Sequence, residues 1–454
     1  MIKSLSKYRD MDMLHGSLWD KIVVFSLPLA FTTLLQQFFN SADVMVLGHY
    51  IGDTAMAAVG NNIPIIGLIV NLFTGLSLGA NVVVARYIGM GRPDEANRSV
   101  HTALMLAIIS GVALTFIGEA GASFMISLLG VPPDVAVPAE NYLRIYLLGM
   151  PFLGIFNFEA ALFRSKGNTA PPLYALFFAS ILNVVGNIIA VDTFEMKEDG
   201  VAVATVLANI FCAGFLFCKL TKENGLLKVS LKLFGLPEKS KSKAIIYIGV
   251  PAGVQGMVFS LSNLVIQSAI NSLGSEVMAA SAIAFTIEAF IYSFVNSFGL
   301  AATTCISQNY GALNLKRCKK IFYVTLGIDF LFALAIVIPI LIFAGPTISL
   351  FTSSQTVVSL AVIRVWFVTS PQPFTVLMEI TSSAMRGYGY SLPPAIVTLI
   401  GVCGQRLIWV YTIFPTHHDF GTLMATYPIS WFITTLMLVW LYVRHQKTLS
   451  ITKS

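Results

Sequence analysis

The chain has 454 residues, of which 56% are hydrophobic and only 11% are charged. A soluble globular domain carries about 25% charged residues, so most of this surface must face lipid and a soluble globular protein is excluded. The net charge of +6 comes from basic residues that recur at intervals between apolar runs, a pattern of membrane topology rather than of a nucleic-acid-binding patch.

The first 21 residues are polar, with Lys3, Lys7, Arg9, Asp10 and Asp12, and lack the apolar centre and cleavage site of a signal peptide. Beyond them the chain is a succession of apolar runs. A helix needs about 20 residues to cross roughly 30 Å of hydrocarbon, which predicts twelve crossings near 22–48, 55–84, 99–119, 137–163, 171–191, 200–219, 244–271, 277–307, 319–344, 358–384, 391–414 and 422–443. Taking the N-terminus as cytoplasmic, the inner segments carry Lys21, Arg86, Arg92, Arg98, Arg164, Lys166, seven lysines from Lys219 to Lys243, Lys316, Arg317, Lys319, Lys320, Arg386 and Arg444, whereas the outer loops hold only Lys197. By the positive-inside rule both termini are expected in the cytosol.

The predicted crossings form one pattern written twice. Gly89 and Gly311, Arg164 and Arg386, Gly167 and Gly389, and Pro171-Pro172 and Pro393-Pro394 all stand 222 positions apart. Six crossings per copy is an even number, so both copies enter the membrane in the same sense and are expected to be related by a pseudo-two-fold axis along the membrane normal. The expected organisation is an all-α integral membrane protein. It has an N-terminal segment (1–21), a first six-helix lobe (22–219), a linker rich in Lys, Ser and Gly (220–243), a second six-helix lobe (244–443) and a tail (444–454). Two duplicated membrane halves are the usual construction of a carrier, with solute held between them.

Ionisable side chains in a spanning helix cost about 2.5–3.5 kcal/mol on insertion scales and normally face protein or a water-filled cavity. In the first crossing Gln36, Asn40 and Asp43 share one helical face, and in the fifth Ser180, Asn183 and Asn187 do the same. If the two stripes meet, they form an acidic, amide-lined pocket able to take up H⁺ or hold Na⁺; the alternative is a hydrogen-bonded cluster that only fastens the two helices. In the second copy Glu288 begins a stripe with Tyr292 and Asn296, and Arg406 lies at a compatible depth. Glu288 is therefore either a binding carboxylate or half of a structural pair with Arg406. Glu379 shares a face with Thr375, Ser383 and Arg386, which favours pairing with Arg386 over contact with a solute; Gln255 leads the polar residues that follow Pro251. Glu140 and Arg144 have salt-bridge spacing, and Glu159 is a weaker candidate because Arg164 and Lys166 follow it.

Several chemistries find no foothold. His417 and His418 have no spaced third ligand, the five cysteines show no metal or disulfide spacing, and the phosphate-cradling GxxxxGK[ST] loop is missing. Neither enzyme activity nor an organic cofactor is expected, and transport would run on an ion gradient. The 33 phenylalanines include some expected to line a cavity and offer cation–π contact to organic cations.

The run Gln36-Gln37-Phe38-Phe39-Asn40-Ser41-Ala42-Asp43, with Gly48, Ile51-Gly52 and Ala57-Ala58-Val59-Gly60 after it, resembles the opening signature of the multidrug and toxic compound extrusion (MATE) family. Leu273-Gly274, Ala279-Ala280 and Ser307-Gln308-Asn309-Tyr310-Gly311-Ala312 are its counterparts in the second copy, and Arg164 with Gly167-Asn168-Thr169 and Arg386-Gly387-Tyr388-Gly389 are similarly typical. The resemblance implies twelve helices in two bundles opening as a V, and export of varied, often cationic, organic compounds in exchange for H⁺ or Na⁺. It also implies a coupling role for Asp43, Asn183 and Asn187, although Asn187 stands where the DinF-like branch often has an acid. The seventh-crossing glutamate of the NorM-like branch is not evident, and Glu288 and Glu379 are similar to acids at comparable places in bacterial relatives.

On this reading Asp43, Asn183, Asn187, Asn40, Gln36 and Ser180 serve the coupling ion, with Na⁺ at Asp43, Asn183 and Asn187 as the metal alternative. Glu288, Tyr292, Asn296, Glu379, Gln255 and Arg406 are the candidates for contact with the substrate. The expected partners are small organic molecules and the lipid bilayer, with no nucleic acid and a monomeric state. A lipid-linked saccharide flippase is a competing reading that would favour a cationic cavity, and a membrane scaffold is a third for which the short outer loops offer little ectodomain. A major-facilitator carrier is disfavoured because Arg86–Asn97 lacks that group's loop motif.

Overall fold

The computed structural model describes residues 11–129, 133–223 and 225–451, so the segment 1–10 and the last three residues of the expected tail lie outside the described residues. Helices dominate. In chain order they are α1 (Trp19–Tyr50), α2 (Asp53–Gly89), α3 (Pro93–Leu128), α4 (Pro133–Leu148), α5 (Met150–Ser165), α6 (Ala170–Ile188), α7 (Glu198–Thr221), α8 (Lys239–Asn271), α9 (Ser275–Gly311), α10 (Leu315–Ile342), α11 (Ala344–Ser349), α12 (Gln355–Thr369), α13 (Gln372–Gly387), α14 (Leu392–Thr398), α15 (Gln405–Ile408) and α16 (Phe420–Ile451). Among the described residues ten helices or continuous helical runs are long and apolar enough to span a bilayer. Two bent pairs, α4 with α5 and α12 with α13, bring the total to as many as twelve.

Both bends have the same cause at the same place in the repeat. Pro151 lies in the first turn of α5 and Pro373 in the first turn of α13, again 222 positions apart. A proline lacks the backbone N–H and suits a helix start, so the chain ends one helix and begins another at an angle, here 49° and 41°. The fifth and eleventh crossings also match: α6 continues into a π-helical turn at Ile189–Thr193, and α14 and α15 are joined and followed by π-helical turns at Leu399–Gly404 and Trp409–Ile413. The repeat extends to hydrogen bonds. Asn81 donates to the Ala161 carbonyl at 3.3 Å, and Thr303, at the equivalent position, donates to the equivalent Ser383 carbonyl at 3.0 Å.

Polar residues set several helix starts. Asn314 Oδ1 accepts from the Arg317 amide at 3.1 Å ahead of α10, and Asp419 Oδ1 accepts from the Thr422 amide at 2.9 Å ahead of α16; each satisfies an N–H that the first turn leaves without a partner. The linker is not free. Asn97, near the start of α3, donates to the carbonyls of Leu226 and Lys228, and His101 Nε2 accepts from the Ser230 amide at 3.1 Å. The linker also contains a single 3₁₀ turn, Leu231–Leu233.

Two compact units emerge. The first comprises Phe31–Gly253 with the stretch that ends at Leu14, and the second comprises His15–Ala30 with the chain from Val254 onward. The lobe boundaries expected from sequence fall between the predicted crossings, whereas these units divide α1 just after Pro28 and α8 just after Pro251.

Within the first unit α2 and the leading part of α8 meet glycine to glycine. A methyl group added at Gly75 would lie 2.0 Å from the Gly253 amide nitrogen, one at Gly79 would lie 2.2 Å from the Ile245 carbonyl oxygen, and one at Gly249 would lie 2.8 Å from the Leu76 Cα. Two small-xxx-small stripes thus let backbones touch, which is how membrane helices gain packing energy when lipid is as apolar as leucine. Gly79→Leu is expected to force α2 and α8 apart and destabilise the protein by about 1–3 kcal/mol or more. The check is thermal unfolding of the purified protein in detergent, and a transition within error of wild type would refute the crossing.

Candidate functional site

In the first unit the sequence-predicted polar stripes do meet. Asp43 of α1 is only 3% exposed. Its Oδ1 accepts a 2.7 Å hydrogen bond from Asn187 Nδ2 of α6, and its Oδ2 accepts one of 3.0 Å from Thr205 Oγ1 of α7. Asn183 Nδ2 donates to the same Thr205 hydroxyl at 3.1 Å, and Asn183 Oδ1 receives a long 3.4 Å contact from Asn187 Nδ2. Asn183 and Asn187 are fully buried, one helical turn apart on the same face of α6. Tyr142 and Tyr146 of α4, stacked at 6.2 Å, lie within electrostatic reach of the carboxylate.

Asp43 therefore has neutral donors for partners, and no ion pair is among its described contacts. Asn187 Oδ1 is buried without a partner, which leaves an acceptor on the residue that already holds Asp43. That donor set fits a small cation: a proton arriving on the carboxylate makes a new O–H, and Na⁺ would find carboxylate, amide and hydroxyl oxygens of three helices.

Other expected members of this site are elsewhere. Ser180 turns back to the Leu176 carbonyl at 2.8 Å, and Gln36 is half-buried and hydrogen-bonds to none of the described groups. The side chain of Asn40 lies outside the described residues. Thr205 was missed by sequence reasoning, yet it left a signal: it stands four residues before Asn209 in the otherwise apolar run Val201–Phe211, the i, i+4 spacing of a polar face.

In the second unit the candidate residues fall into two separate clusters. Glu288 of α9 is held by Arg364 of α12, Nε to Oε1 at 2.8 Å and Nη2 to Oε2 at 2.9 Å. Arg364 corrects the structural pairing with Arg406 considered from the sequence. A guanidinium fork can satisfy both carboxylate oxygens at once, and Arg364 presents its fork directly while Arg406 is engaged elsewhere. Arg406 donates to Asn263 Oδ1 at 2.9 Å and lies over the Tyr427 ring at 4.3 Å and the Phe259 ring at 5.2 Å; its Nε and Nη2 are buried without partners.

The second cluster joins Glu379, Arg386 and Gln255. Arg386 Nη1 donates to Glu379 Oε1 at 3.3 Å and its Nη2 to Gln255 Oε1 at 3.0 Å, while Ser383 donates to the same Glu379 oxygen at 3.0 Å. Gly299 makes room for it, because a methyl group there would lie 3.1 Å from Glu379 Oε1. Tyr292 is 49% exposed and within electrostatic reach of Glu379 and Arg386, and Asn296 is half-buried. Glu140 pairs with Arg144 at 2.8 Å, as its spacing predicts, and Glu119 joins them at 3.0 Å. Glu159 is fully buried with neither carboxyl oxygen hydrogen-bonded. Among the described residues no three His, Cys, Asp or Glu side chains converge as a metal site would require.

Comparison with known proteins gives a consistent picture. The MatE family profile matches the chain twice, at residues 28–189 and 251–412. A probable multidrug resistance protein, NorM, of Thermotoga maritima is 27% identical over 394 residues, covering 85% of this chain and 84% of that protein. Another probable multidrug resistance protein, YoeA of Bacillus subtilis, is 23% identical over 454 residues, covering 96% of each. The solved outward-facing structure of a multidrug resistance MATE family transporter superposes with a TM-score of 0.88 at 22% identity, over 97% of this chain and 98% of that one.

Glu288→Gln is expected to be among the most damaging single substitutions, costing about 3–5 kcal/mol, because it leaves the buried Arg364 guanidinium without its carboxylate. Replacing Glu288 and Arg364 together by Leu and Met should recover much of that loss. Chemical denaturation of the three proteins checks both, and a mild single mutant would show that the pair is not buried as described.

Proposed function

The chain belongs to the MatE family, and on that premise we propose that it is a cation-coupled secondary antiporter exporting organic, often cationic, compounds across the cytoplasmic membrane, with H⁺ or Na⁺ as the coupling ion. The observation that carries this reading is the buried Asp43 carboxylate, held by Asn187 and Thr205 and lacking a described ion pair. A structural acid is cheaper to bury when an arginine closes it, as Arg364 closes Glu288. An acid whose partners are an amide and a hydroxyl is poised to exchange a cation. The names of the NorM and YoeA relatives support an export role for varied compounds.

The ion drives export only if it and the cargo favour different conformational states. Cation binding at Asp43 neutralises the carboxylate and changes which of its hydrogen bonds form, which gives the ion a preference between states. Each charge moved through 100 mV supplies about 2.3 kcal/mol, enough to concentrate a neutral cargo roughly fiftyfold. On the cargo side, the exposed Tyr292 ring and the Glu379 carboxylate offer cation–π and ionic contacts to an organic cation, with Asn296 and Gln255 beside them. Apart from Lys197, the basic residues of the predicted loops fall on one side of the twelve-crossing topology, which supports cytosolic termini. A monomer suffices, since the expected ion and cargo contacts come from one chain.

Asp43→Asn is expected to abolish gradient-driven dye export in proteoliposomes, with coupling lowered at least about fivefold, while dye binding to the purified protein persists. Unchanged export and pH dependence would remove Asp43 from the mechanism. Replacing Na⁺ by choline at fixed pH separates the two ions: export continues if H⁺ is the coupling ion and stops if Na⁺ is.

A further inference from the structure

Asp329 lies midway along α10, some 20 Å from that helix's basic start by helical rise. It is fully buried, and both Oδ1 and Oδ2 lack a hydrogen-bond partner. One turn earlier on the same face, the Thr325 hydroxyl is also buried without a partner, and one turn later Phe332 packs on Phe298 at 5.3 Å between ring centroids. The helices packed most closely against α10 are α9, α11, α12 and α13, and Tyr442 of α16 stacks on Phe322, seven residues before Asp329, at 4.4 Å. From α13 come Glu379, within electrostatic reach of Asp329, and Arg386, which Glu379 and Gln255 already share. Arg364 of α12 and Glu288 of α9 are closed on each other. Glu276 of α9 is exposed at the start of its helix, Tyr292 of α9 faces the Glu379 cluster, and α11 has no ionisable side chain. Two carboxyl groups and a single guanidinium thus occupy this part of the second unit, one positive charge short of balance.

We propose that Asp329 is a proton-binding site, so that the second unit carries its own exchangeable H⁺ in addition to any cation at Asp43. An ionised carboxylate with neither donor nor counter-ion is costly in a low-dielectric interior, whereas the protonated form carries no net charge and balances the Asp329, Glu379 and Arg386 group. The proton comes from water and forms one O–H bond on a carboxyl oxygen; its release regenerates the carboxylate. A metal ion would need several oxygens converging on it, and among the described residues no group of three His, Cys, Asp or Glu side chains could hold one. The site goes beyond the export reading and is tested without transport.

The test is infrared difference spectroscopy of the purified full-length protein after a pH step. A protonated-carboxyl band that shifts in D₂O and moves on isotopic labelling of aspartate is expected, and it should be lost in Asp329→Asn. Glu159, the other acid among the described residues with both carboxyl oxygens buried and without hydrogen-bond partners, contributes a separate band that Glu159→Gln removes and aspartate labelling leaves in place. Labelling reads the wild-type protein, so the result stands even if Asp329→Asn fails to fold. An aspartate band that survives Asp329→Asn and disappears in Asp43→Asn would overturn the assignment, as would a wild-type protein with no protonated-aspartate band or one that shows it only when Na⁺ is withdrawn. Loss of export in Asp43→Asn alongside an intact Asp329 band would leave both readings standing.

Discussion

An acid inside a membrane protein has no water to fall back on, so its neighbours decide whether it is a fastener or a working group. This chain answers in different ways. Asp43 is surrounded by neutral donors, Glu288 is closed by a two-pronged guanidinium, Glu379 shares an arginine with an amide, and Glu159 and Asp329 have no hydrogen-bond partner at all. The arrangement at Glu288 is inert because breaking it strands charge on both sides. The arrangement at Asp43 instead leaves the carboxylate on an amide and a hydroxyl, neither of which carries a charge to close it. The difference between these sites lies in their surroundings.

The helical frame that brings these groups together is built on close backbone contact. In the first unit Gly75 and Gly79 of α2 meet Gly249 and Gly253 of α8, and in the second Gly299 of α9 leaves room for Glu379 of α13. Helices that approach this closely lose little packing to lipid. The Asp43 cluster also depends on placement: donors from α6 and α7 reach a carboxylate on α1, so that a change in the packing of any of the three helices alters the hydrogen bonds that hold it.

Duplication explains much of the architecture and little of the chemistry. The bends at Pro151 and Pro373 and the hydrogen bonds from Asn81 and Thr303 occupy equivalent positions. The position equivalent to Asp43 is Val265, that equivalent to Asn187 is Trp409, and that equivalent to Asp329 is Ala107. A shared backbone has therefore been given different polar side chains in its two copies. The scaffold tolerates this because the repeated features are backbone bends and close contacts, which place few demands on the remaining side chains.

The crossings, the duplication and the two polar stripes that carry Asp43 and Asn183 with Asn187 were legible in the sequence, because hydrophobic length, proline and glycine positions and helical periodicity are local properties of the chain. Periodicity says which residues share a face of one helix. Which neighbouring helix that face meets depends on rotations and crossings that no single helix encodes. For that reason Thr205 entered the Asp43 site unannounced, Arg364 took the place considered for Arg406, and α1 and α8 were divided between the units just after their prolines. Tertiary packing alone decided that Asp329 would stand without a partner, because an acid in an apolar run is conspicuous in the sequence while the lack of a neighbour can be seen only when all its neighbours are in place.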